Sequence, residues 1–314
     1  MKVTFIHTAD WQLGKPFAGV ADAQKRALLQ NERLSVLKRI GDVAREREAS
    51  FMVVSGDLFD SPSATQTTVS AACGAIGALG LPVYVIPGNH DHGGPGCLWE
   101  QEFYQREQKQ LAPNLHVLLK SEPVELDNAV LFPCPLLRRH EASDPTTWLR
   151  AMNDLDDRFG SKPRIIVAHG SVLDFGSASD DEESEGGVPN LIDLQRLPTS
   201  SFEYIALGDW HGTKQVGDRA WYPGTPELDR FVKGADHDPG NILVVVAGRG
   251  LNPKVECLRT GSIGWHEMEF GFADDAGLDV LETRISELTS NRVNGDLLRL
   301  RLQGSLGIAA CSRL

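Results

Sequence analysis

The sequence predicts an α/β protein in which a second sheet packs on the first and a small βαβ-like unit follows. Three observations carry this. Strand-like apolar runs alternate with helical ones over the first half, as parallel strands joined by helices require. Beyond about residue 200 strands follow one another with little helix between, which calls for a second sheet. From Gly261 the texture changes to strand, helix and alternating strand.

In order, "KVTFIHTAD" reads as a strand, and residues 22–49 as a long helix whose apolar face holds Leu28, Leu29, Val36, Leu37 and Ile40. "FMVVSGD" is a buried-type strand, 64–79 a helix, and "PVYVIPGNHD" a strand ending in a glycine turn. "NLHVLL" and "NAVLFPCPL" are strands, 145–158 a helix, and "RIIVAHG" a strand. Residues 174–189 are acidic, Gly/Ser-rich and without apolar periodicity, so they are expected as an exposed loop. "FEYIALGDWHG", "AWYPGTPE", "NILVVVAG" and "KVECLR" supply the later strands. "GWHEMEFGF", a helix over 274–289 and "DLLRLRLQG" complete the chain, dividing it into 1–260 and a small unit at 261–314, whose end leaves its completeness open.

The 314 residues are 41% hydrophobic and 24% charged, a globular composition with a net charge of −12 from 43 acids and 31 bases. No apolar stretch approaches the roughly 20 residues of a membrane span, and Asp10 arrives too early for a signal-peptide core. A cytoplasmic protein without a membrane partner is expected. Five widely spaced cysteines with no C-x-x-C pair argue against a disulfide framework or a structural zinc cluster, leaving them as small, partly buried hydrophobes. There is no basic excess for holding a polyanion, so bound divalent cations are the candidate source of positive charge.

Five apolar runs each end in oxygen or nitrogen donors: Asp10; Asp57; Asn89, His90 and Asp91; His169; Asp209 and His211. In four of the five a glycine stands directly beside a donor, and Gly14 follows the first. Strands of a sheet would converge these groups on one edge, with glycine permitting close backbone approach. Carboxylates, an amide and imidazoles together suit divalent Mn, Fe, Zn or Mg.

"DWQ", "GDLFD", "GNHD", "AHG" and "GDWH", in that order, resemble the calcineurin-like metallophosphoesterase superfamily, whose pattern is D-x-H, GD-x-x-D, GNH(D/E), a lone histidine after a strand, and GH-x-H. "HTADWQLG", "SGDLFD" and "YPGTPE" narrow the likeness to the Mre11/SbcD branch of DNA repair nucleases, over roughly residues 1–260, with the tail in the position of that branch's capping domain. The resemblance implies a four-layer α/β/β/α sandwich of two mixed sheets holding two divalent cations, with Mn²⁺ the first choice and Mg²⁺ or Fe²⁺ as alternatives. Asp57 would bridge the ions. One ion would take Asp10, Gln12 and His211, the other Asn89, His169 and Asp209. His90, oriented by Asp60, would be the catalytic proton donor or charge stabiliser. Such a pair activates a bridging water and stabilises attacking and leaving oxygens. The branch also implies DNA as substrate, a homodimer and a Rad50/SbcC-like ATPase partner, although few residues follow the capping unit to hold that partner.

Two family histidines are replaced, by Gln12 and Asp209. The first exchanges a nitrogen ligand for a weak amide oxygen, and the second adds a carboxylate, both favouring Mn²⁺ or Mg²⁺ over Zn²⁺. The expected function is metal-dependent phosphodiester hydrolysis by a DNA exo- or endonuclease, attenuated or not by these changes. The alternatives are an enzyme acting on small phosphoesters and a weakly active metal-binding scaffold of a repair complex. Lys15, His92, Arg230 and Lys233 are candidate phosphate contacts. Trp11, Phe17, Trp210, Trp221 and Tyr222 could stack bases but suit core packing better. His7, His116, His140, His237 and His266 have no motif around them and read as structural or surface residues.

Overall fold

The computed structural model describes residues 1–153, 155–173, 189–231, 237–292 and 295–314. The elements are, in chain order, β1 (Lys2–Thr8), α1 (Ala23–Glu46), β2 (Phe51–Val54), α2 (Gln66–Gly77), β3 (Val83–Val85), α3 (Glu102–Leu111), β4 (Leu115–Val117), β5 (Val124–Glu125) and β6 (Val130–Cys134). There follow α4 (Leu155–Phe159), β7 (Arg164–His169), β8 (Ser171–Val172), β9 (Leu191–Ile192), β10 (Tyr204–Gly208), β11 (Lys214–Gln215), β12 (Ala220–Tyr222), β13 (Asn241–Gly248) and β14 (Lys254–Arg259). The tail adds β15 (Trp265–Phe272), α5 (Gly277–Leu288) and β16 (Leu297–Gly304).

Two six-stranded sheets form, in the orders β14-β13-β1-β2-β3-β4 and β11-β12-β10-β7-β6-β5. Both are mixed: β1 to β4 run parallel with β13 antiparallel to β1, and β6, β7, β10 and β12 run parallel with β5 and β11 antiparallel at the edges. Strands covered on both faces read as unbroken apolar runs, which is why "FMVV" and "RIIVAH" are buried at every position. The inward faces meet through Phe5, Phe51, Val53, Leu131, Ile165, Val167, Tyr204 and Leu243. Helices α1, α2 and α3 cover the outside of the first sheet. The outside of the second is covered by shorter pieces around Leu149, Leu155 and Phe159. The result is the expected four-layer arrangement.

Helix α1 begins where the Asp22 carboxylate accepts from the backbone N–H of Gln24 and Lys25. Its buried stripe is Leu29, Arg33, Val36, Leu37, Ile40 and Ala44, an i, i+4, i+7 pattern that leaves Leu28 a hundred degrees off the face and exposed, against expectation. The helix expected over 145–158 is instead a 3₁₀ turn at Thr147–Ala151 followed by the short α4. Asp144 accounts for the turn: its carboxylate accepts from the backbone N–H and hydroxyl of Thr146, a local bond that competes with helix. Helix α3 carries one fully buried side chain, Tyr104, and seven of its ten residues are charged or amide, so no apolar run announces it. All five cysteines are free; Cys73, Cys97 and Cys134 are buried, whereas Cys257 and Cys311 are exposed rather than partly buried. The acidic loop at 174–188 and Lys233 lie outside the described residues.

In the tail, β15 and β16 pair in parallel over Trp265–Phe272 with α5 as the crossover, the anticipated βαβ unit. It has its own cluster around Phe270, Phe272, Leu278 and Leu281. A second cluster, Phe17, Leu29, Ile263 and Leu297 with Phe231 and Trp265, joins it to the loop after β1. Among the described residues no helix is long and apolar enough to cross a membrane.

Candidate metal centre

Strands β1, β2, β3, β7 and β10 all end at the same edge of the sandwich, and each donor identified in the sequence leaves the strand within a few residues of that end. The loops after β1 and β2 are zipped together, with Asp10 N–H donating to Gly56 O at 3.1 Å and Gln12 N–H to Asp57 O at 2.8 Å. Asp10, Gln12, Asp57 and Asp209 all have left-handed backbones, with φ of 54°, 42°, 56° and 101°. Such conformations cost of order 1–3 kcal/mol each and persist where the surroundings over-determine them. Here they turn side chains back across the strand ends.

Close approach is what the glycines provide. A Cβ at Gly88 would stand 2.1 Å from Asp57 Oδ1, and one at Gly208 1.9 Å from the Ser55 carbonyl. Hydrogen at Gly208 lets the two sheets meet at this edge, and hydrogen at Gly88 lets the loops after β2 and β3 of the first sheet close on each other.

His169 is the centre of the arrangement. Its Nδ1 donates to Ser55 O at 2.8 Å, because a carbonyl only accepts, and this leaves the Nε2 lone pair facing inward. Nε2 lies 3.0 Å from Asn89 Oδ1, 3.6 Å from Asp57 Oδ1 and 3.7 Å from Asp209 Oδ1. Candidate ligand atoms of Asp10, Asp57 and His169 lie within 4.8 Å of one another, all buried. The Asp10 carboxylate also accepts from Asp209 N–H at 3.2 Å, and Ser171 Oγ donates to Asp209 Oδ2 at 2.8 Å.

The electrostatics follow from this gathering of carboxylates. Burial pushes Asp10 up to about 7, with His169 and His211 pulling the other way. Burial opposes charge on His169, yet Asp57, Asp10 and Asp209 overcome it and push the imidazole up to about 9. Three carboxylates converging in a buried space favour a cation so strongly that a histidine is drawn toward protonation. Carboxylates, an amide oxygen and an imidazole lone pair are a fitting donor set for a divalent metal of the Mn, Fe or Mg kind.

His90 lies beside these donors. Its backbone N–H donates to Asp57 Oδ1 at 3.0 Å, its Nδ1 donates to the backbone carbonyl of Asp60 at 2.8 Å, and its Nε2 is 4.0 Å from Asp57 Oδ2. The partner from Asp60 is thus its main chain; its carboxylate lies 3.9 Å from Lys15 Nζ. Asp91 braces the loops, accepting from Gly88 N–H at 2.8 Å and Phe59 N–H at 3.0 Å, and burial with the nearby Asp57 pushes it up to about 7.

Gln12 and His211 stand in different company. Lys15 Nζ donates to Gln12 Oε1 at 2.6 Å and to Asp229 Oδ2 at 2.9 Å. His211 Nδ1 lies 3.2 Å from the same Asp229 oxygen and 3.0 Å from Arg230 Nη2. Burial alone would raise Asp229, but His211, Lys15 and Arg230 hold it well below the usual carboxylate range. Asp229 carries no motif in the sequence; only its place next to Arg230, just past "YPGTPE", could have drawn notice.

A cleft of about 90 Å³ opens over Asp57, Asn89, His90, Asp209 and His211, with Arg139, His140, Trp210, Arg230 and His237 around it. A second cavity of about 400 Å³ shares Arg230 and is lined by Lys15, Phe17, Phe231, Trp265 and Arg299. His92 is half-buried and lies outside both linings. Trp11 is buried, its indole N–H donating to Thr8 Oγ1, and Tyr222 is buried, its hydroxyl donating to Gly170 O. Arg139, unmarked in the sequence, and His140 and His237, read there as structural or surface residues, come to the cleft from loops whose convergence has no local signature.

Residues 3–212 match the family model described as calcineurin-like phosphoesterase. The chain belongs to that family. Among curated proteins it is similar to SbcD of the nuclease SbcCD from Staphylococcus epidermidis, 23% identical over 222 residues that cover 66% of this chain and 56% of that protein. The chain therefore spans little more than half the length of that relative. Solved structures that resemble it include TT1561 of Thermus thermophilus, with a TM-score of 0.49 at 14% identity, covering 83% of this chain and 100% of that one. A dimetal phosphatase from Danio rerio gives a TM-score of 0.44 at 14% identity, covering 81% and 98%. The family membership and the donor set support metal-dependent phosphoester hydrolysis, and the similarity to SbcD accords with the branch that the motifs resemble.

Proposed function

We propose that the protein is a Mn²⁺-dependent phosphodiesterase acting on DNA in repair, with residues 1–260 as the catalytic domain and 261–314 as a small capping domain. The observation that carries this is the convergence of Asp57, Asn89, His169 and Asp209 directly beside His90. A scaffold would need the ligands but not the histidine. When bound, a divalent cation polarises the phosphoryl group and lowers the pKa of water. The chain's own residues do the rest. Asp57, Asn89, His169 and Asp209, with Asp10 behind them, would hold the cation. His90 is fixed through Nδ1 to Asp60 O, so its Nε2 is the atom that passes a proton to the leaving oxygen. Arg230, on the wall common to the two cavities, is placed to steady a phosphate and lead a polymer toward Phe231 and Trp265.

DNA as substrate accords with two adjoining cavities and with the relative named as part of a nuclease. A homodimer and an SbcC-like ATPase partner belong to the same proposal. The test is hydrolysis of bis-p-nitrophenyl phosphate and single-stranded DNA by metal-stripped protein resupplied with Mn²⁺. Turnover that vanishes in Asp57→Ala and falls about 10²–10⁴-fold in His90→Ala supports it. Turnover of p-nitrophenyl phosphate alone would point to a small-substrate phosphatase. No turnover with Mn²⁺, Mg²⁺, Fe²⁺ or Zn²⁺ would point to a scaffold.

A further inference from the structure

We infer that the centre carries one divalent cation and that the Lys15 ammonium occupies the electrostatic role of a second. The inference rests on the hydrolase reading for its chemistry, but its evidence is the environment of Gln12.

Gln12 is fully buried and pinned by its backbone N–H to Asp57 O. Its one ligating atom, Oε1, accepts from Lys15 Nζ at 2.6 Å, while its Nε2 is buried with no partner among the described residues and, being a donor, offers a metal nothing. Flipping the amide would turn N–H toward the ammonium, so Lys15 fixes the orientation. The ammonium itself sits among oxygens: Gln12 Oε1, Asp229 Oδ2 at 2.9 Å and Asp60 Oδ1 at 3.9 Å. That is the cradle of a cation, filled by a side chain.

The surroundings repeat the point. Asp229, buried, also meets Arg230 Nη2 at 3.2 Å and Arg33 Nη2 at 3.8 Å. A divalent ion ligated through Gln12 Oε1 would face the Lys15 ammonium now 2.6 Å from that oxygen, and the carboxylate nearest to that ammonium, Asp229, is already shared with two arginines. On the His169 side, by contrast, lone pairs converge. Asp10, Asp57 and Asp209 gather around that side, whereas the carboxylates that face the Lys15 ammonium are those of Asp229 and Asp60. Gln12 and Lys15 thus act as a pair: the amide gives up the metal, and the lysine three residues on replaces its charge with one that no chelator removes.

Metal-stripped protein titrated with Mn²⁺ by calorimetry, with electron paramagnetic resonance on the loaded sample, tests this without relying on activity. One Mn²⁺ per chain with the hyperfine pattern of an isolated ion is expected. The double variant Gln12→His, Lys15→Ala is expected to take two, with the signal of an exchange-coupled pair. Lys15→Met, which keeps the aliphatic stem, is expected to admit a second, weaker ion. Two coupled ions in the unaltered protein would overturn the inference, as would a single ion in a folded double variant. Two ions with DNA cleavage would leave the hydrolase reading standing, whereas one ion with no cleavage of any phosphoester would remove that reading and keep the inference. No ion bound would overturn both.

Discussion

His7 sits on β1 in the middle of the sandwich, fully buried, with Tyr204 Oη 2.9 Å from its Nδ1 and Leu207 O 3.2 Å from its Nε2. It pins one sheet to the other, and it must be neutral to do so: burial lowers it to about 3 from an ordinary 6.5, against the bond to Leu207. Above 6.5 the folded and unfolded chains are both unprotonated there, and the contribution is intact. Between 6.5 and about 3 the unfolded chain takes a proton that the folded one refuses, so stability falls as pH falls, by roughly 1.4 kcal/mol per pH unit. Urea melts in EDTA at several pH values should show that slope reduced by about this amount in His7→Gln. Equal slopes would remove His7 from the account. A second residue-scale outcome concerns Asp209, which supplies a carboxylate where the family has an imidazole. Asp209→His should raise affinity for Zn²⁺ relative to Mn²⁺ in competition titrations, because nitrogen suits the softer ion; an unchanged ratio would mean that Asp209 is not a ligand.

At the scale of elements, the centre depends on strand ends coming closer than side chains allow. Gly88 faces Asp57, and a methyl there would meet both Oδ1 at 2.1 Å and the backbone nitrogen at 2.6 Å. Gly88→Ala should therefore weaken Mn²⁺ binding and lower bis-p-nitrophenyl phosphate turnover by about 10²-fold, the scale of a roughly 1 Å misplacement of reacting groups. Gly74, on α2 with nothing within 4 Å of its would-be Cβ, is the control. Gly74→Ala should leave turnover alone and stabilise the helix by about 0.5–1 kcal/mol, read from the melting curve. This part of the site was legible from the sequence, since glycine beside a donor at four of the five strand ends is a local pattern. The broken helix at 147–159 was not, because the side chain of Asp144 decided it by capturing the backbone.

For the whole molecule, the net charge of −12 means that a DNA substrate, as proposed, would have to be held by a cation at the centre and a few placed bases. The second cavity, between the loop after β1 and the tail, offers aromatic faces at Phe17, Phe231 and Trp265, with the Arg299 guanidinium 4.0 Å from the Phe231 ring centroid. If substrate extends along this cavity, Trp265→Ala should reduce cleavage of single-stranded DNA about tenfold, since stacking is worth roughly 1–3 kcal/mol per base. The same variant should leave bis-p-nitrophenyl phosphate turnover within about twofold, for that substrate does not reach beyond Arg230. Equal losses on both substrates would show that Trp265 acts only by docking the tail.

The sequence by itself determined the α/β class, the second sheet, the βαβ tail and the donors at the strand ends, because each rests on local physics: burial on both faces makes apolar runs, and a donor after a strand with glycine beside it marks a sheet edge. It also showed where the donor set departs from its family, at Gln12 and Asp209. Only the tertiary structure decided what those departures mean. Lys15 and Asp229 are 214 residues apart, and the ion pair between them, with the Gln12 oxygen as third member, exists because β13 lies against β1 and carries the preceding loop to it. Likewise Arg139, His140 and His237 reach the cleft through loops that share no spacing. Periodicity encodes which face a residue takes within its own element; charge balance in a buried site depends on partners brought together across elements, and no local pattern records them.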